Sequence, residues 1–219
     1  ATDTDGAGLA QTDFGELGHG FVSQRAGARD HTDAAFAVNM AEKFDYFKFE
    51  NACNPFGILF HPLAIEKLIG FAVSGKQFTA EDLFFHNERW HSFDVHSDWS
   101  NSNKEELIAN LNAILQATHQ RISEATHIII TYGTSWVYRN LASNSIVANC
   151  HKVAGQQFKK RLLEVDEIVV CWQKVIQQLK TLNPKLKIIF TVSPVKHLRD
   201  GVAENTVSKA TLHLAIDKL

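Results

Sequence analysis

The chain has 219 residues, 45% hydrophobic and 21% charged, with a formal net charge of −2. That length supports one good-sized core and one domain. The near-neutral balance gives no electrostatic case for nucleic acid or an acidic membrane surface. No apolar run is long enough to span a bilayer, and the first residues lack the basic start and apolar core of a signal peptide. Three scattered cysteines, Cys53, Cys150 and Cys171, point to free thiols in a reducing compartment such as the cytoplasm, not to a disulfide framework or zinc site.

Residues 1–35 differ from the rest. They contain six of the 12 glycines, no lysine and no isoleucine. So little apolar surface reads as a disordered leader. From Phe36 the pattern changes. Phe36, Met40, Phe44 and Phe47 recur at helical spacing, which predicts an amphipathic helix over Phe36–Phe47. Asn54-Pro55-Phe56-Gly57 predicts a turn. Pro62 suits the first turn of a helix whose apolar face is Ile65, Leu68, Ile69 and Ala72, and Gly75 ends it.

Leu83–Ser97 is rich in aromatics and histidines, with Asn87-Glu88 as the turn of a short hairpin. His86, His91 and His96 invite a metal reading. If Trp90–His96 is a strand, however, His91 and His96 point to opposite faces, so no metal is expected. Ser102 and Glu105 form a capping box for a helix running to about Glu124 through Leu107, Leu111, Ile114, Leu115 and Ile122.

His127–Tyr138 is the stretch around which the chain is organised. Ile128-Ile129-Ile130 is a continuous apolar run, which predicts a strand buried on both faces. It ends in Thr131-Tyr132-Gly133-Thr134. Trp136–Tyr138 and Ile146–Asn149 pair as a hairpin around Ala142-Ser143-Asn144. Cys150-His151 suggests a thiol nucleophile, but neighbours in an extended segment diverge. Val165–Leu179 is a strong helix, stopped by Asn183-Pro184. A second strand, Leu186–Val192, ends in Ser193-Pro194, and a last helix runs from about Thr206. Helix, strand, helix, strand, helix predicts an α/β fold with a mostly parallel sheet, and ligands in such sheets sit beyond the strands' carboxyl ends.

Several segments together carry a family resemblance: Asn54-Pro55-Phe56-Gly57-Ile58-Leu59-Phe60, Trp90-His91-Ser92-Phe93, Tyr132–Tyr138, Val147–Lys152, Ser193–Gly201 and Ser208-Lys209-Ala210-Thr211-Leu212. In this order they resemble the bacterial GSCFA-domain family, over about Phe36 to Leu219. That family looks like a branch of the SGNH (GDSL-like) hydrolases. The resemblance implies a three-layer α/β/α fold and ester hydrolysis by a serine at the tip of the first strand, with no cofactor. Only Phe36-Ala37 of the family's naming motif is present, and Asp33, Ala34 and Ala35 stand where Gly, Ser and Cys would be. Ala34 at the expected nucleophile position has no hydroxyl, and His197 lies too early to match the Asp-x-x-His the family carries near its C-terminus. The chain is therefore expected to be incomplete at both ends, with first and last strands missing, and to form an atypical leader (1–35) and one truncated domain (36–219).

A serine hydroxyl attacks an ester only when an imidazole takes its proton, and the oxyanion needs preorganised donors. Supporting parts of that machinery are legible. Gly133 and Thr134 offer backbone donors, Asn54 and Gly57 an amide and a close backbone approach, and Ser193, His197 and Asp200 line a pocket. Three readings follow: an ester hydrolase in incomplete form, inactive as written; a module that binds an acylated glycan or similar small ligand; or a partly folded fragment with an exposed sheet edge. None calls for nucleic acid or a membrane as partner, and oligomeric state is left open.

Overall fold

A computed structural model describes residues 42–44, 46–48, 50–196 and 201–219. The leader, Ala34, most of the first expected helix, His197 and Asp200 lie outside them. Of that first helix, residues 42–44 and 46 are described and helical.

The chain is mixed α/β. Helix α1 (Pro62–Ser74) starts at proline in its first turn and stops at Gly75, whose φ of 71° lies in the left-handed region that glycine adopts freely. Its cap is unusual: His61 Nδ1 accepts the Ala64 N–H at 3.1 Å. Strands β1 (Phe84–His86) and β2 (Arg89–His91) form the expected hairpin, with Asn87 and Glu88 both at positive φ. β2 stops at His91, so strand alternation does not separate His91 from His96 as expected. His96 instead opens a short 3-10 turn, accepting the Asp98 N–H. Helix α2 (Lys104–Glu124) is capped one residue later than expected. Asn103 Oδ1 accepts the Glu106 N–H at 2.8 Å, leaving Ser102 exposed.

Strand β3 (His127–Tyr132) pairs in parallel with β7 (Lys187–Val192), Ile129 opposite Ile189 and Thr131 opposite Thr191. Helix α3 (Val165–Leu182) packs Ile168, Trp172, Val175 and Leu179 into the core that this pair shares. Its Trp172 is fully buried against Tyr132 and Phe190, ring centroids 5.6 and 5.2 Å away. Helix α4 (Val202–Asp217) begins four residues earlier than expected and adds Leu212 and Ala215 to the same core. A second cluster joins α1 and α2 through Phe56, Leu68, Phe78, Leu107 and Leu111.

Between β3 and α3 the chain inserts an antiparallel sheet of order β5-β4-β6. It comprises β4 (Trp136–Asn140), β5 (Ile146–Val147) and β6 (Phe158–Leu162). The β4–β5 hairpin was expected. β6 was not, because Phe158-Lys159-Lys160-Arg161-Leu162 carries three cations in five residues and shows no apolar alternation.

The isoleucine run departs from expectation. Ile128 and Ile130 face the core, but Ile129 and Ile189 are each 42% exposed. Among the described residues β3 and β7 are covered on one face only, so a continuous apolar run here does not mark a strand buried on both sides.

Candidate functional site

The segments singled out by sequence meet in space, and most of their contacts end on a backbone carbonyl. Phe60 O accepts the N–H groups of Gly133 (2.8 Å) and Thr134 (3.0 Å), tying Asn54–Phe60 to the β3 tip. His61 Nε2 donates to Val147 O at 3.0 Å, and His151 Nε2 to Ser92 O at 2.7 Å. Phe93 O accepts Ala148 N–H at 2.7 Å, and Phe56 O accepts His96 N–H at 3.1 Å. Each ring nitrogen facing a carbonyl must be the N–H, which fixes the tautomer of both histidines.

At the strand tips the hydroxyls are tied to one another. Ser208 Oγ accepts the Ser135 N–H at 2.8 Å, and it lies 3.0 Å from both Ser135 Oγ and Thr134 Oγ1. Lys209 Nζ donates to Gly133 O (2.5 Å) and Ser193 O (2.8 Å), bridging the β3 and β7 tips. Ser135, Ser193 and Ser208 are all buried. This brings Gly133, Thr134 and Ser193 together as the sequence suggested. Gly133 and Thr134 nevertheless spend their N–H groups on Phe60, so in this arrangement neither is open to an oxyanion.

Asn54 and Gly57 reach the tip only through Phe60. Asn54 is exposed at φ 45°, and its carbonyl accepts the Gly57 N–H at 2.8 Å. Gly57 does serve a close approach, though toward His96. A Cβ built on Gly57 would lie 2.3 Å from His96 Cβ, and φ is 76°. Sequence reasoning left Ser208, Lys209 and His61 without roles, and weighed His151 only as a neighbour of Cys150. Their presence inside or beside the resembling segments was the available signal.

Burial pushes the His61 and His151 imidazoles down to about 4, although their bonds to Val147 O and Ser92 O oppose that shift. His91 and His96 add repulsion at His151. Both rings are neutral at pH 7. Burial pushes the Cys150 thiol up, which disfavours the thiolate that a Cys150-His151 nucleophile would need. Among the described residues no group of three or more histidine, cysteine or carboxylate side chains is placed to hold a metal ion.

A cavity of about 310 Å³ lies away from the strand tips, lined by Glu66, Lys67, Asp94, Arg139, Arg161 and Glu167 among others. Its charges are mostly paired internally: Lys67 with Asp94 at 2.5 Å, and Arg161 with Glu167, whose carboxyl the guanidinium holds low. No described helix is long and apolar enough to cross a membrane.

A family model described as the GSCFA family matches residues 34–219. No curated protein and no solved structure matches the chain.

Proposed function

The chain belongs to the GSCFA family, and from this premise we propose that it carries the scaffold of an SGNH-type ester hydrolase and, as written, uses it to hold an acylated ligand without cleaving it. On this reading the parallel β3–β7 pair and the helices packed on it form part of a three-layer α/β/α arrangement. Ligand meets the sheet beyond Gly133 and Ser193, where α/β folds place it. The observation that carries the proposal is the state of the strand-tip hydroxyls. Ser135 and Ser208 bond to each other, and Ser193 Oγ accepts the Val195 N–H at 3.1 Å. Among the described residues neither Ser135 nor Ser208 is hydrogen-bonded to an imidazole, which a serine nucleophile requires.

Ester hydrolysis of this type needs no cofactor, and free thiols suit a reducing cytoplasm. The ligand class is a small ester or an acetylated glycan, met at the strand tips that Lys209 bridges. Titration calorimetry with an acetylated oligosaccharide tests it. A saturable heat, lost in Lys209→Met, with the acetyl groups recovered intact, is expected. No heat at millimolar sugar, or release of acetate, sinks the reading.

A further inference from the structure

Away from the β3 and β7 tips, the last residue of β2 and a serine just after the following 3-10 turn are joined as a base and its nucleophile would be. Ser100 Oγ lies 2.6 Å from His91 Nδ1. The opposite ring nitrogen, His91 Nε2, lies 2.9 Å from His86 O. A carbonyl only accepts, so Nε2 carries the proton and Nδ1 of the neutral ring carries the lone pair. The Ser100 hydroxyl hydrogen therefore points at Nδ1. This is the order a charge-neutral triad requires: hydroxyl, base, and a third group that fixes the base's tautomer.

The backbone holds both partners in place. Asn101 and Trp90, the chain neighbours of Ser100 and His91, bond to each other twice, at 2.7 and 3.1 Å. Ser100 N–H donates to Ser97 O at 3.0 Å, and the Arg89 guanidinium donates to Ser100 O. Phe84 stacks on the His91 ring at 5.4 Å and on Phe93 at 4.0 Å, which walls the base with apolar surface. His91 is buried and Ser100 only partly so, which leaves the serine the more exposed of the two and the base shielded.

We propose that Ser100 is a reactive serine, with His91 as its general base, toward small activated acyl esters. Ser100 Oγ attacks the ester carbonyl carbon as its proton passes to His91 Nδ1. The carbon–oxygen bond to the leaving group breaks, and the leaving phenoxide takes the proton back from Nδ1. Water, deprotonated by His91, then attacks the acyl-serine, and the acid departs with Ser100 reprotonated. The Arg89 guanidinium, already held at the Ser100 carbonyl, supplies positive charge beside the oxyanion. No carboxylate stands behind His91 among its described hydrogen bonds, only a carbonyl. The pair is therefore matched to good leaving groups such as p-nitrophenolate and leaves alkyl acetates of sugars intact. This inference is independent of the strand-tip reading: one concerns covalent chemistry at Ser100, the other reversible binding at Lys209.

The test uses the full chain and a fluorophosphonate probe, with the adduct located by peptide mass mapping. Phosphonylation of Ser100, with release of fluoride, is expected. His91→Gln keeps an amide N–H for His86 O and removes the base, so it should slow labelling at least about 100-fold. Ser100→Ala, which deletes one oxygen, should abolish it, with circular dichroism confirming that both variants fold. p-Nitrophenyl acetate should give a p-nitrophenol burst in the parent chain and none in Ser100→Ala. No adduct at Ser100, an adduct only at another serine, or labelling of His91→Gln at the parent rate would overturn the proposal.

Discussion

Gly57 shows how a single residue sets the site's geometry. Its φ of 76° and the 2.3 Å approach of a built Cβ to His96 mean that any side chain must displace the His96 backbone turn. Gly57→Ala is therefore expected to cost at least about 1 kcal/mol, read as a lower midpoint in urea denaturation; an unchanged midpoint would show that the turn yields freely. The demand for a glycine was legible in Asn54-Pro55-Phe56-Gly57, but its cause was not. A glycine kept for a ligand and one kept for a histidine 39 residues away look alike in sequence. The same limit applies to Gly133 and Thr134. Their place at a strand tip followed from the apolar run before them, whereas their bonds to Phe60 O depend on a tertiary contact that no local pattern encodes.

Among the elements, α1, α2, α3, the β1–β2 hairpin and the parallel pair β3–β7 were all legible, because each carries its own period, cap or turn. What escaped was decided between elements. β6 is a strand because β4 offers it a ladder from Trp136↔Leu162 to Asn140↔Phe158, despite its lysines and arginine. The one-sided burial of β3 among the described residues likewise depends on which elements pack on it and not on its sequence. Two substitutions read that asymmetry. Trp172→Ala, on the covered face, should cost about 3–5 kcal/mol. Ile129→Thr, on the open face, should stay within about 0.5 kcal/mol of the parent and lower the tendency to self-associate. Thermal unfolding and light scattering on both variants check the pair, and a large loss of stability in Ile129→Thr would mean that this face is covered.

For the whole molecule, the two buried neutral histidines set an acid limit. His61 and His151 titrate at about 4 when folded, against an ordinary 6.5. As pH falls below 6.5 the unfolded chain binds protons that the folded chain refuses, so stability declines until about pH 4 and then levels off with respect to these groups. His61 alone accounts for about 3 kcal/mol of that loss. Urea midpoints measured between pH 7 and pH 4 should fall steadily, and His61→Gln should flatten the slope; a midpoint independent of pH across that window would contradict the burial of both rings. The way the family-resembling segments are joined bears on how such a molecule can diverge. Phe60, Phe93, Val147, Ser92 and Ser193 all contribute carbonyl oxygens, which every amino acid possesses, while His61, His151 and Lys209 contribute side-chain donors that few can replace. Substitutions should thus be tolerated at the accepting positions and costly at the donating ones. A histidine or lysine retained among unrelated neighbours then marks the frame of this protein, even where nothing of its chemistry survives.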